Sequence, residues 1–159
     1  MTISLLSLAA VCLPAAATVL SPADQPAAGP SFHTVVPNLV VADIAASLAF
    51  YRDVLGFTLD MQVPDTPPYV FVSVRQGDVQ IFLNDREIVR KDFPALASRP
   101  PGGGNTMYVR MTGVEEYHEL VKARTRIVVP FVRQPYGMTE FAVSDPDGYI
   151  IFFAQERGR

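Results

Sequence analysis

The side chains that could do chemistry in this chain are few and scattered. There is one cysteine, Cys12, and two histidines, His33 and His118. A single thiol forms no intramolecular disulfide and no cysteine zinc cluster, and two histidines are too few for a histidine-rich metal site. His118 falls within a helical run beside its apolar stripe, where a solvated ring is expected. His33 reads as a surface or packing residue. Among the charged residues inside strand-like runs are Arg110 and Glu140. In an enzyme such a carboxylate is the candidate general base, and such a guanidinium the candidate stabiliser of developing negative charge.

The elements that must position these groups are organised around Val36 to Phe57. Val36–Ala42 reads as a buried strand. Asp43 is a helix cap whose short acceptor side chain serves free backbone N–H groups. Ile44, Leu48, Tyr51 and Leu55 repeat at helical spacing, and Gly56 is the glycine stop. A second strand follows over Phe57–Gln62, then a loop forced by Pro64, Pro67 and Pro68. Tyr69–Arg75 alternates as a strand, turns at Gln76-Gly77-Asp78, and returns over Val79–Asn84. The order is β-α-β-β-β.

The same order recurs. Thr106–Met111 is a strand. Thr112-Gly113-Val114-Glu115 has capping-box spacing and opens a helix with Val114, Tyr117, Leu120 and Val121 on one stripe. Strands follow over Ile127–Arg133, Met138–Ser144 and Tyr149–Ala154, the last two joined by the tight turn Asp145-Pro146-Asp147-Gly148. The linker, 85–105, holds a short helix over Glu87–Leu96 interrupted by Pro94, then the joint Pro100-Pro101-Gly102-Gly103-Gly104. A duplicated unit is far more specific than either half alone.

Composition agrees. At 159 residues the chain is one domain's worth and can bury a core without metal or disulfide staples. Hydrophobic residues make up 49% and charged residues 18%, a globular balance. A net charge of −3 argues against a nucleic-acid partner, which wants a basic face. Residues 1–30 differ: an apolar run from Ile3 to Leu20, then a Pro/Ala-rich linker over 21–30. An apolar run before Ala15-Ala16-Ala17 fits a leader cleaved near residue 17, which would mark an exported protein. Against it, no Lys or Arg precedes Arg52, Pro14 breaks the run, and Val11 before Cys12 is large for a lipoprotein site. A cleaved leader and an unstructured extension of a cytoplasmic protein stand as alternatives. Apart from such a leader, no membrane partner is expected.

Taken together, Pro37-Asn38-Leu39-Val40-Val41-Ala42-Asp43, Ser47-Leu48-Ala49-Phe50-Tyr51, Leu55-Gly56-Phe57, Tyr136-Gly137-Met138, Phe141 and Asp145-Pro146-Asp147-Gly148-Tyr149 resemble the vicinal oxygen chelate proteins. This is the superfamily of glyoxalases, bleomycin-resistance proteins and extradiol dioxygenases. The resemblance implies an α+β fold of one domain over 31–159. Its two tandem β-α-β-β-β modules, about 33–84 and 106–156, would form a curled mixed sheet around a cleft. It also implies a homodimer. Metal enzymes of the superfamily hold a divalent cation on four inward strand positions, which fall here on Val36, Phe82, Thr106 and Phe152. Three of these have no donor atom and threonine is a poor neutral ligand, so no metal and no cofactor is expected.

With those positions as a phase marker, alternation assigns the cleft wall. Expected ligand-binding residues are Asn38, Phe71, Gln80, Phe82, Tyr108, Arg110, Met138, Glu140 and Phe152, with an Arg110–Glu140 pair among them. Leu39, Val41, Ile81, Leu83, Val109, Phe141, Val143, Ile151 and Phe153 should pack under the helices. An aromatic wall with a few polar groups suits a small organic ligand, aromatic or cationic. The expected function is metal-free small-molecule binding of the bleomycin-resistance type, such as drug sequestration in antibiotic resistance. The alternatives are a lyase, isomerase or hydrolase of the same superfamily with Glu140 as base, and a dimer whose cleft is vestigial.

Overall fold

The computed structural model describes residues 29–102 and 104–158. The leader and nearly all of the 21–30 linker fall outside them. The chain divides between Thr34 and Val35, and everything from Val35 onward belongs to one unit. No helix among the described residues is long and apolar enough to cross a membrane.

The first module runs β1 (Asn38–Val41), α1 (Ile44–Ala49), β2 (Thr58–Val63), β3 (Phe71–Gln76) and β4 (Val79–Asp85). The linker holds α2 (Arg86–Asp92) and a 3₁₀ turn, Pro94–Leu96. The second module runs β5 (Thr106–Arg110), α3 (Val114–Lys122), β6 (Ile127–Arg133), β7 (Met138–Ser144) and β8 (Ile150–Glu156). Each module makes its own four-stranded mixed sheet, ordered β1-β4-β3-β2 and β5-β8-β7-β6. The α+β class and the duplication are as the repeat implies, each module having a mixed sheet of its own.

Register shows how faithful the duplication is. β1 pairs parallel with β4 so that Asn38 faces Phe82, and β5 pairs parallel with β8 so that Tyr108 faces Phe152. The two pairs have the same separation along the chain, so Phe82 and Phe152 are structural equivalents, as are Asn38 and Tyr108. The helix-facing residues are those that alternation assigned. Leu39, Val41, Ile81, Leu83, Phe141, Val143, Ile151 and Phe153 share one core with Ile44, Leu48, Tyr51 and Val121, and Val109 packs at its margin. Each such side chain contributes about 1.5–3 kcal/mol by leaving water. β2 and β6 are edge strands, which is why β6 tolerates Pro130.

Several local expectations are corrected. Asp43 caps α1 through the Ala46 N–H at 3.1 Å, but regular α geometry ends at Ala49 and Phe50–Val54 forms a π turn. Gly56, at φ +77°, then ends the helical run. The capping box at Thr112–Glu115 does not form. Gly113 occupies the cap position at φ +75°, and the Val114 N–H donates instead to Gln155 Oε1 on β8 at 3.0 Å. His118 is not solvated: its side chain is 16% exposed and sits between Phe131 and Phe141, ring centroids 4.9 and 5.0 Å away.

The modules are joined by the Asp145–Tyr149 turn. Asp145 Oδ1 accepts the N–H groups of Asp147 and Tyr149, closing the turn, while Oδ2 accepts the Tyr51 hydroxyl of the first module. Asp147 accepts the Ala42 N–H at 2.9 Å and the Ser47 hydroxyl at 3.2 Å. The Tyr149 hydroxyl takes the Val40 N–H and donates to the Val40 carbonyl. On the other flank, the Tyr117 hydroxyl donates to the Leu55 carbonyl at 2.8 Å. Side-chain bonds of this kind hold the end of β1 and the start of α1 against the second module.

Candidate binding site

The sheet faces turned away from the core carry the expected site residues, gathered into two clusters, one per module. On the first sheet, Phe71 and Phe82 meet edge to face, centroids 5.2 Å apart. Asn38 is exposed on β1 and accepts a hydrogen bond from the Asn84 amide. Gln80 belongs to a network that alternation had not found. Asp60, at the bulge of β2, accepts from Arg75 Nε at 3.2 Å, the Ser73 hydroxyl at 3.1 Å and Gln80 Nε2 at 2.9 Å. The Arg75 hydrogen bond, with help from Ser73 and Gln80, outweighs burial and holds the Asp60 carboxyl below its ordinary range.

On the second sheet, Tyr108 and Phe152 stack at 6.0 Å with their planes 27° apart. Glu140 lies beneath, only 3% exposed. Its Oε2 accepts the Tyr108 hydroxyl at 2.6 Å. Its Oε1 accepts the Tyr136 hydroxyl at 2.7 Å and Gln134 Nε2 at 3.0 Å. Burial pushes the carboxyl up, but the hydrogen bonds from Tyr108, Tyr136 and Gln134 together outweigh it, and Glu140 is held below its ordinary range. The same arrangement pushes the Tyr108 phenol up to about 12, by burial first and then by the Glu140 hydrogen bond and charge. Glu140 is therefore a settled anion and a weak proton acceptor at neutral pH. Met138 opens β7, half-buried.

The expected Arg110–Glu140 pair does not form. Both residues register with Ala154, from opposite sides of β8. Their strands are thus two spacings apart, about 9–10 Å. Arg110 instead reaches Glu156 on β8 at 3.1 Å, a pair that is 69% and 65% exposed.

The four positions that the resemblance assigns to metal ligands, Val36, Phe82, Thr106 and Phe152, carry side chains that do not fit a cation. Phe82 and Phe152 are equivalent by register and offer only ring carbon, Val36 lies half-buried ahead of β1, and Thr106 is exposed on β5. His33 is exposed, with the Ser31 hydroxyl 3.1 Å from its Nε2. The residues sequence reasoning missed as site members are Asp60, Gln134 and Tyr136. Tyr136 stood in the quoted motif, yet a hairpin turn gives no alternation from which to read where its ring goes.

Relatives share this frame. A curated relative, the virulence protein STM3117 of Salmonella typhimurium, is 29% identical over 122 residues, 74% of this chain and 79% of that protein. The bleomycin-binding protein from bleomycin-producing Streptomyces verticillus, solved with copper(II)-bleomycin, superposes with a TM-score of 0.56 at 24% identity. It covers 82% of this chain and all of that one. A lactoylglutathione lyase from Agrobacterium tumefaciens superposes with a TM-score of 0.61 at 21% identity, over 79% of this chain and 95% of that one. At such identities the two structures speak for the fold. The family model described as Glyoxalase/Bleomycin resistance protein/Dioxygenase superfamily matches residues 31–153, and the chain belongs to that superfamily.

Proposed function

We propose that this protein is a metal-free small-molecule-binding member of its superfamily, which holds a planar organic ligand against aromatic walls and sequesters it. The observation that carries this is the pair of equivalent positions Phe82 and Phe152. Where the superfamily's metal enzymes need donor atoms, both modules present a ring, and each ring is partnered by a second one, Phe71 or Tyr108. Rings so placed bind flat apolar surface by burial and stacking, without a reaction step. The fold shared with a bleomycin-binding protein supports sequestration as the use of such a cleft.

The two site faces belong to separate sheets, and each leaves rings half-open to water. Pairing with a second copy would close a cleft over them, so the functional unit is proposed to be a homodimer. The test is a thermal-shift panel of planar natural products that includes copper(II)-bleomycin, run beside sedimentation velocity. A ligand at a hundred times its Kd stabilises by about 2.7 kcal/mol and raises Tm measurably. A dimer with at least one such hit is expected. A monomer that no compound on a broad panel shifts would overturn the reading.

A further inference from the structure

The two site faces each hold a carboxylate that accepts three hydrogen bonds, and they differ in one respect. On the first sheet the charge of Asp60 is answered by the guanidinium of Arg75, 3.2 Å away. On the second sheet every donor to Glu140 is neutral: two phenols and a carboxamide. Among the described residues Arg110, on the same face, is turned to Glu156, Arg157 donates to the Gln134 carbonyl, and no Lys, Arg or His ion pair includes Glu140.

An anion buried without a countercharge is costly, and hydrogen bonds from neutral groups offset only part of that cost. What lies over this anion is suited to a cation. Tyr108 and Tyr136, 49% and 65% exposed, roof the carboxylate, and the Tyr108 ring stacks with Phe152 beside it. Ring faces attract ammonium and guanidinium groups, more strongly where water is excluded. A carboxylate has about four acceptor positions. Three are used here, two on Oε1 and one on Oε2, which leaves Oε2 able to accept one more donor.

We infer that the Glu140–Tyr108–Tyr136 cluster is a recognition site for an organic cation, the positively charged nitrogen of an aromatic ligand, which supplies the charge that Arg75 supplies to Asp60. This rests on the small-molecule reading above and narrows it to ligands bearing an ammonium or guanidinium group. The preference belongs to the second module alone.

The test compares three tricycles of one shape at mildly alkaline pH: proflavine (a cation), acridine (neutral) and acridine-9-carboxylate (an anion), titrated by fluorescence anisotropy. Wild type should bind proflavine at least about tenfold more tightly than acridine, and acridine-9-carboxylate weakest. Glu140→Gln should reduce the proflavine preference to about twofold or less, while Glu140→Asp keeps most of it. Glu119→Gln, the same charge change on an exposed helix position, should leave it intact. Should Glu140→Gln fail to fold, wild type still decides. Tetramethylammonium chloride should displace proflavine at concentrations where sodium chloride does not. Equal affinity for the three tricycles would overturn the cation inference and leave small-molecule binding standing. So would a preference that Glu140→Gln retains, or equal displacement by the two salts. Binding of none of them would overturn the inference, and the natural-product panel would then decide the broader reading separately.

Discussion

Tyr51 and Asp145 stand ninety-four residues apart in the chain and meet through a 3.1 Å hydrogen bond from phenol to carboxylate, both side chains buried. The bond crosses between the modules. Burial raises the pKa of both groups, and the nearby Asp145 charge raises that of Tyr51 further. Tyr51→Phe leaves the ring in the core and removes only the donor. Asp145 then keeps two backbone N–H partners on Oδ1 and loses its partner on Oδ2. Urea denaturation should show a loss of about 1.5–3 kcal/mol with an unchanged m-value. A loss under about 0.5 kcal/mol would mean that this bond adds little to the hold that the Asp147, Tyr149 and Tyr117 contacts and the shared core already supply.

The linker is fixed against the same turn by Gly102. It has a φ of +72°, and a Cβ there would lie 2.3 Å from the Asp147 carbonyl oxygen and 2.7 Å from the Gly148 carbonyl carbon. Those are backbone atoms of the Asp145–Tyr149 turn and have little room to yield. Gly104 has a φ of +80° but open space at its Cβ. Gly104→Ala should therefore cost only the conformational strain, about 1–2 kcal/mol. Gly102→Ala should cost that and the displacement of the linker besides, about 2 kcal/mol more. Equal melting temperatures for the two variants would show that the close approach is not maintained in solution.

The sequence made the modules legible because a strand–helix–strand pattern is local. Alternation then divided β4 and β8 correctly: Ile81, Leu83, Ile151 and Phe153 went to the core, and Phe82 and Phe152 to the other face. What it could not settle was which neighbour a long polar side chain reaches. Arg110 and Glu140 share a face, yet a strand lies between them, and that separation is a fact of sheet order. The networks at Asp60 and Tyr136 were hidden for a related reason. One sits at a bulge and the other in a hairpin turn, where period-two reading stops. The π turn at Phe50–Val54 was hidden too, because apolar spacing is nearly the same in α and π geometry over one turn.

The corrected pairing of Arg110 is open to a direct check. A double-mutant cycle between Arg110→Gln and Glu140→Gln should give a coupling within about 0.3 kcal/mol of zero, as for groups without contact. The cycle between Arg110→Gln and Glu156→Gln should give a small favourable coupling, under about 1 kcal/mol, because both ends are well exposed. Coupling above about 1 kcal/mol to Glu140 would restore the pair expected from alternation and remove the ground for an uncompensated anion on the second sheet.

The pH dependence of stability reports on that anion itself. The Glu140 pKa in the fold lies below its unfolded value, since hydrogen bonds from Tyr108, Tyr136 and Gln134 outweigh the burial that raises it. A carboxylate so shifted contributes stability that is fully present above the unfolded pKa, about 4.3, and is lost as pH falls through the lower folded value. Glu140→Gln does not titrate there. The stability difference between wild type and Glu140→Gln should thus stay level from about pH 8 to pH 5 and shrink only below about pH 4.3. A difference that changes between pH 5 and 7 would mean that burial wins and the carboxyl takes up a proton near neutrality. It would then be a fair general base and a poor partner for a cation, which would favour the lyase, isomerase or hydrolase reading over sequestration.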